Sequence, residues 1–469
     1  MKQQITRITD ILRRDDGISG AMHYTEQISW ILFLKFLDDF EIRESENAFL
    51  DGKNYDFIIE EKFRFKNWIA LPSWDDIKDF VNKELFPYLK SFKNINEDYH
   101  SMKYKIWEIF SFIENRIDSG HSLKEIVEII DSLSFQKQED LFELSKIYED
   151  LLVGMGNDGW NSWEFYTPRS IIKIIVEIIK PEIWQTVYDP ASWSCGFLIE
   201  AFNFMRKQVK NDKELDFLNN QTFFGNEKTP LAYIMWVMNM ILHGISNPNI
   251  NKKNTLTTDI RSIQEKDKFD VILANPPFWW KEKDVIQQNF PIKTNATEML
   301  FLQHITRSLK KSGKAAIVVP EWVLFNTSNA FVEIKKELLE DFNLHSIISL
   351  PAWVFLPYSW VKTNIIFFDR EGKTTDIWYY EIDLWRKLTK NKPLLYDEIK
   401  QIPELLQKRE ISEKSWTVKV EDLKDFDLSA KNPNKIKEEI IRNPEEIISE
   451  IEKNNLEITK LVSELKNIL

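Results

Sequence analysis

The chain has 469 residues, 43% hydrophobic and 29% charged, with a formal net charge of −12. This is the composition of a globular protein with a sizeable core, and the length predicts about three units of ~100–200 residues each. It excludes a membrane-spanning helix, since no run of about 18 apolar residues occurs, and a surface that coats DNA by its own charge. A single cysteine, Cys195, excludes an internal disulfide framework and suits the cytoplasm. The six histidines are scattered and, with one cysteine, make no metal-ligand cluster. The opening stretch "MKQQITRITDILRRDD" is charged throughout and lacks the apolar centre of a signal peptide. One count is abnormal: 17 Trp stand against 12 Gly, where average usage gives roughly 33 Gly in this length.

Residues 1 to 150 predict a helical domain. "YTEQISWILFLKFLDDFEI" sets apolar residues at helical spacing with acids on the other face, and "SLKEIVEIIDSL" and "DLFELSKIYEDLL" repeat the pattern. No convergent polar motif falls here. A loop follows, "VGMGNDGWNSWEFYTPRS", rich in Gly, Asn and Ser.

From there to about residue 375, strand-like runs alternate with helical patterns. "TVYDPAS" precedes the helical "GFLIEAFNFMRKQV", and "QTFFGNE" precedes "PLAYIMWVMNMILHG". "DVILANPPF", "AAIVVPE", "HSIISLP" and "NIIFFDR" are further strand candidates. Short β-branched runs joined by helices predict an α/β doubly wound parallel sheet.

The region 376–469 is mixed. "SWTVKV" alternates like a strand. At the end, Asn443 can cap a helix, with Pro444 in its first turn and Glu446 at capping-box spacing. Ile447, Ile451, Ile458, Leu461, Leu465 and Ile468 fall on one heptad seam that Asn454 interrupts. Such a seam serves a partner helix or its own domain equally well.

The chemistry concentrates at strand ends. In "FDVILANPPF" an apolar strand breaks at Asn275-Pro276-Pro277-Phe278. Ligands of open α/β sheets bind beyond the carboxyl ends of strands, and two prolines stiffen the exit. Alone, the tetrapeptide is equally an ordinary turn. It is preceded in order by "EFYTPR", "DPASWSCGF", "GNEKTP" and "TLTTD". That ordered set resembles the amino-methyltransferases that use S-adenosylmethionine (SAM) and modify adenine at N6. "ILRRDDGISGAMHYTEQISWILFLKFLDD", "PIKTNATEMLFLQHI" and "PEWVLFNTSNAFVEIKKELLE" are similar to stretches of the modification subunit of type I restriction-modification systems. The likeness runs from about residue 5 to 430.

The resemblance implies a Rossmann-like SAM-dependent methyltransferase fold behind an N-terminal helical domain. It implies methyl transfer from SAM to N6 of an adenine flipped out of double-stranded DNA, with a specificity subunit that selects the target and a restriction/translocase subunit as further partner. It gives Asn275, Pro276, Pro277 and Phe278 the catalytic part. It gives Glu164, Phe165, Tyr166, Thr167, Pro168, Asp189, Pro190, Ala191, Ser194, Gly196, Glu227 and Asp259 to the cofactor: "FYTP" and the Asp189 turn to its methionine part, Glu227 to its ribose, Asp259 to its adenine amine. From the residues alone, Glu227 could equally be a helix N-terminal acid and Asp259 a turn former. Cys195 is not preceded by Pro, unlike the nucleophile of cytosine-C5 enzymes, and reads as structural.

The departures are all of one kind. The family's loop D-P-A-x-G-[ST]-x-G-F has Trp193 in place of its first Gly. Trp160, Trp163, Trp279, Trp280, Trp322, Trp353 and Trp360 likewise stand where the family usually carries Gly, whereas Trp30 and Trp416 fit apolar helix and strand patterns. Two alternatives are weaker. An inactivated methyltransferase-fold subunit would have decayed into many residue types, and a protein-glutamine methyltransferase would carry Tyr after Asn-Pro-Pro and lack the long helical start. Replacement of Gly by Trp alone predicts UGA codons at these positions, which some bacterial lineages read as glycine.

Overall fold

The computed structural model describes residues 2–94, 101–133, 135, 167–193, 195–242, 245, 248–356, 359–389 and 391–434, together with 448, 452, 454, 455, 458 and 459. Among them, no helix is long and apolar enough to cross a membrane.

The N-terminal region is helical. Ala21–Leu50 is its longest element. Its apolar residues are buried on more than one side: Ile28 and the run Trp30–Leu34 are all core. The polar side is not left to water either. Glu26, Lys35, Asp38 and Glu41 are buried. Lys35 pairs with Asp39 and Asp131, Asp38 accepts from the Lys66 N–H, and Glu41 accepts from the Ile58 and Ile59 N–H groups. Buried charges persist only when satisfied in this way. "SLKEIVEIIDSL" forms the helix Gly120–Asp131, capped by the Ser119 side chain. "DLFELSKIYEDLL" lies outside the described residues.

Nine strands form one sheet: β1 Val187–Asp189, β2 Phe223–Glu227, β3 Asn249–Lys252, β4 Phe269–Ala274, β5 Leu309–Pro320, β6 Asn343–Ser349, β7 Thr363–Asp369, β8 Asp376–Glu381 and β9 Ser415–Lys419. Their order is β3-β2-β1-β4-β5-β7-β6-β8-β9. The sheet is not wholly parallel as its pattern suggested: β7 runs antiparallel to β5 and β6, and β9 antiparallel to β8. It also continues past residue 375, since β8 pairs with β6.

Helices cover both faces, as a doubly wound sheet requires. On one face a single core joins the sheet to Arg169–Ile179, Gly196–Arg206 and the N-terminal helices. The helix Pro230–Leu242 is the bridge, touching both Ala21–Leu50 and Met102–Phe110. On the other face Thr297–Ser308 and Asn329–Asp341 pack in a second core. The strand order reverses between β1 and β4, neighbours in the sheet. Their carboxyl ends therefore open onto the crevice where such folds bind ligands.

Candidate active site

The turn after β1 is built for close approach. The Asp189 carboxylate accepts from the Ala191 N–H at 3.0 Å. Ser192 Oγ donates to the Asp189 carbonyl at 2.6 Å. The Cys195 N–H closes the turn on the Ser192 carbonyl. Trp193 and Cys195 both sit at positive φ, 29° and 58°, and Cys195 leads into the helix Gly196–Arg206. Gly225 on β2 is required here: a Cβ would lie 2.6 Å from Ser192 Oγ and 3.0 Å from the Asp189 carbonyl oxygen.

Glu227, at the end of β2, is buried. Its carboxylate accepts the Trp193 N–H at 3.1 Å and the Thr229 N–H at 2.7 Å. It therefore ties the β1 turn to the β2 turn. Burial, together with the neighbouring Glu227 charge, pushes the Asp189 carboxyl up to about 8. Burial first, and then both acids, raise the Cys195 thiol well above its usual range, so Cys195 is an inert cap rather than a nucleophile.

Asn275 follows β4 and is buried. Its Nδ2 donates to Thr167 Oγ1 at 2.9 Å. That bond joins the stretch "FYTP" to "NPPF", 108 residues apart. Pro168 stands at the N-cap of Arg169–Ile179. Glu164, Phe165, Tyr166 and Ser194 lie outside the described residues, as do Trp160 and Trp163.

A cleft of about 80 Å³ lies between these turns. Pro190, Ala191, Glu227, Asn275 and Pro277 line it. So do Trp193 and Trp280, whose indoles take up part of this space. Phe278 is buried rather than open to a base. The Trp322 ring stands edge-on to it with centroids 6.5 Å apart, and Trp279 packs on Trp322 at 4.1 Å. Each covering group is at a position where glycine was expected.

Asp259 does not join the site. It is absent from the cleft wall, and its carboxylate is held by Arg261, which donates from Nε and Nη2 at 2.8 Å each. A carboxylate gripped by a guanidinium so close in sequence is a local turn device. Asn254, Thr255 and Leu256, just beyond β3, line the cleft in its place. Their strand is short and polar, so no periodic signal pointed to them.

The backbone supplies a criterion that the sequence lacked. Among the described residues, ten non-glycine residues have positive φ, and four are tryptophan: Trp184, Trp193, Trp279 and Trp353. Glycine populates that region freely and a residue with a Cβ does not. Trp184, at φ 76°, was not among the positions singled out. Trp30 and Trp416 behave differently. Trp30 is buried, stands edge-on to Phe86 and donates to Gln27. Trp416 stacks on Tyr379.

The pattern of the N-6 DNA methylase family matches residues 137–443, and that of the HsdM N-terminal domain matches residues 1–130. The chain is 33% identical over 483 aligned residues to the methylase subunit of the type I restriction enzyme EcoEI from Escherichia coli, covering 99% of this chain and 96% of that one. The EcoKI methylase subunit from Escherichia coli K12 is 28% identical over 79% of this chain and 69% of its own. A solved modification subunit assigned to a type I restriction enzyme of Vibrio vulnificus YJ016 superposes with a TM-score of 0.85 at 34% identity, covering 92% of this chain and 97% of that one. A chain from a solved type I restriction-modification assembly gives 0.78 at 38% identity, covering 100% and 97%. Matched along nearly its whole length and in fold, the chain belongs to the family of type I restriction enzyme methylase subunits, SAM-dependent N6-adenine DNA methyltransferases.

Proposed function

We propose that the cleft beyond β1, β2 and β4 is where this subunit holds SAM against a flipped adenine. The observation that carries the reading is the bond from Asn275 Nδ2 to Thr167 Oγ1. It turns the amide nitrogen toward Thr167, and the oxygen would face the substrate. The exocyclic amine of adenine is a poor nucleophile because its lone pair is delocalised. The Asn275 oxygen and the Pro276 carbonyl would accept its two N–H bonds, favour a pyramidal nitrogen and aim the lone pair, a gain of orientation and fixed electrostatics. Transfer would break the methyl–sulfonium bond as the new C–N bond forms, and the proton shed by the amine would pass to solvent. Pro277 stiffens the exit, and with glycine in place of Trp279 and Trp322 Phe278 would be open to stack on the flipped base. Bound SAM supplies a methyl group already activated on a sulfonium.

The donor set fits the cofactor once the indoles are gone. Glu227, a carboxylate at a strand end, would accept from the ribose hydroxyls. Pro190, Ala191 and Gly196, with Ser194, would frame the methionine part at the start of a helix, where N–H groups favour a carboxylate. Thr167 and Pro168, with Glu164, Phe165 and Tyr166, would close that side. Asn254 takes over the contact to the adenine amine that was expected of Asp259.

With net charge −12, phosphate contacts would come from a partner, and target choice from a specificity subunit. A restriction subunit would complete the assembly, in the cytoplasm. The terminal stretch is the proposed contact: Ile458 of the seam is helical yet 57% exposed, and the other apolar members of the seam lie outside the described residues. The test is a full-length chain with glycine at the Trp193 set, assembled with its specificity subunit. Asn275→Ala should abolish methyl transfer to DNA and leave SAM binding near parental; methylation at the parental rate would refute the assignment.

A further inference from the structure

Behind the cleft lies a buried polar chain that the methyl-transfer chemistry does not call for. Tyr188, in the middle of β1, has its hydroxyl 3.1 Å from His304 Nε2 on the helix Thr297–Ser308. Asn226 on β2 donates from Nδ2 to that hydroxyl at 2.8 Å and to Thr255 Oγ1 at 3.0 Å. The Thr255 hydroxyl donates to the Pro190 carbonyl at 2.6 Å. All four side chains are buried. Asn226, Thr255 and Pro190 line the cleft, and Tyr188 and His304 stand behind it.

One assignment of the protons satisfies these bonds, with Ser308 Oγ also 3.4 Å from His304 Nε2. Asn226 uses both amide hydrogens, and the Thr255 proton goes to Pro190, which leaves the Tyr188 proton for His304 Nε2. Burial, with Lys253 adding in the same direction, holds His304 neutral, its pKa pushed down to about 3, so Nε2 can accept. Four buried polar groups are a poor way to stabilise a core, since apolar packing does the same without desolvation. They are a good way to fix a geometry. The spacing they fix has little slack, because Gly225 already brings β2 against the β1 turn with no room for a Cβ.

We infer that Tyr188 and His304 are positioning residues for the cofactor: they orient the Asn226 amide, which sets Thr255 and, through it, the Pro190 carbonyl, so that the turns after β1, β2 and β3 keep one spacing around the adenosine end. The inference rests on the reading of this cleft as the SAM site. It predicts a change in cofactor affinity without a change in the chemical step.

The test uses the full-length chain with glycine at the Trp193 set and its specificity subunit. Tyr188→Phe keeps the ring, which stacks on Phe269 with centroids 4.2 Å apart, and removes only the hydroxyl. S-adenosylhomocysteine binding by calorimetry and the KM for SAM should both weaken about tenfold, with kcat at saturating SAM within about twofold of the parent. His304→Gln, which retains an acceptor, should stay near the parent, and His304→Leu should behave like Tyr188→Phe. Adding Thr255→Val to Tyr188→Phe should cost little more than either alone. Parental affinity in Tyr188→Phe overturns the inference, as does a lowered melting temperature with unchanged KM, or a loss confined to kcat. If the parent itself fails to bind S-adenosylhomocysteine, the cofactor reading falls and takes this inference with it.

Discussion

Replacing Trp184 or Trp353 by glycine should leave stability within about 1 kcal/mol of the parent, where a tryptophan of ordinary standing would lose several. Both have positive φ, 76° and 73°, and the exposed fractions are 55% and 45%. Holding an L-residue there costs ~1–2 kcal/mol. Glycine relieves that strain and returns ~0.5–1 kcal/mol through the greater freedom of its unfolded chain. Few contacts are lost, the main ones being Phe217 against Trp184 at 4.9 Å and Trp360 against Trp353 at 6.2 Å. Trp30→Gly is the control. Its ring is fully buried against Phe86 and its Nε1 donates to Gln27 at 2.8 Å. Truncating such a side chain costs ~3–5 kcal/mol, and glycine within a helix about 1 more, against a total stability of roughly 5–15. Urea midpoints of the full-length variants give the comparison directly. Losses at Trp184 and Trp353 equal to that at Trp30 would refute the reasoning. The gene should carry UGA at 160, 163, 193, 279, 280, 322, 353 and 360, and the backbone adds 184; it should carry UGG at 30 and 416. Mass spectrometry of the native protein should find glycine at the first group, and tryptophan there would instead favour an inactive scaffold. Trp322 is the hardest case, because its Nε1 donates to Glu298 at 2.8 Å.

Three further outcomes are expected. Trp193→Gly combined with Trp280→Gly should enlarge the cleft and raise SAM affinity by at least about tenfold, read by calorimetry; unchanged affinity would mean that the indoles do not obstruct the site. Truncation after Asn443 should weaken binding to the specificity subunit while SAM binding persists, and equal co-purification of truncated and full-length chains would sink that assignment. Asp189 is raised from 3.8 to about 8 by burial and Glu227, so its contribution to stability is full below its unfolded pKa and is lost as pH rises through about 8. A cationic cofactor favours the carboxylate. SAM affinity should therefore rise with pH by up to tenfold per unit between about pH 6 and 8, with proton release on binding; Asp189→Asn should flatten the profile, and a flat parental profile would refute it.

What was legible in the sequence follows from which signals are local. β1, β2, β4, β5, β6 and β7 lay in named apolar runs because strands buried on both faces must be apolar. β3 was missed because Asn249–Lys252 reads Asn-Ile-Asn-Lys at the sheet edge, with no run to see. The antiparallel turn of β7 was missed because direction is a property of the connection, not of the strand. The same divide explains the site. Asn275, Glu227 and Asp189 were legible as acids and amides breaking out of apolar strands. The Arg261 grip on Asp259 was not legible, because a carboxylate after "TLTT" gives no sign of its ion-pair partner. Tyr188, Asn226, Thr255 and His304 were invisible as a group, since the bonds that join them span up to 116 residues and only the sheet order brings them together. The tryptophans invert the case. Composition and one loop pattern exposed them, yet Trp184 escaped because the pattern did not extend to it, while its φ marks it at once. A left-handed backbone position marks where glycine would relieve strain, and four of the ten such non-glycine positions among the described residues are tryptophan.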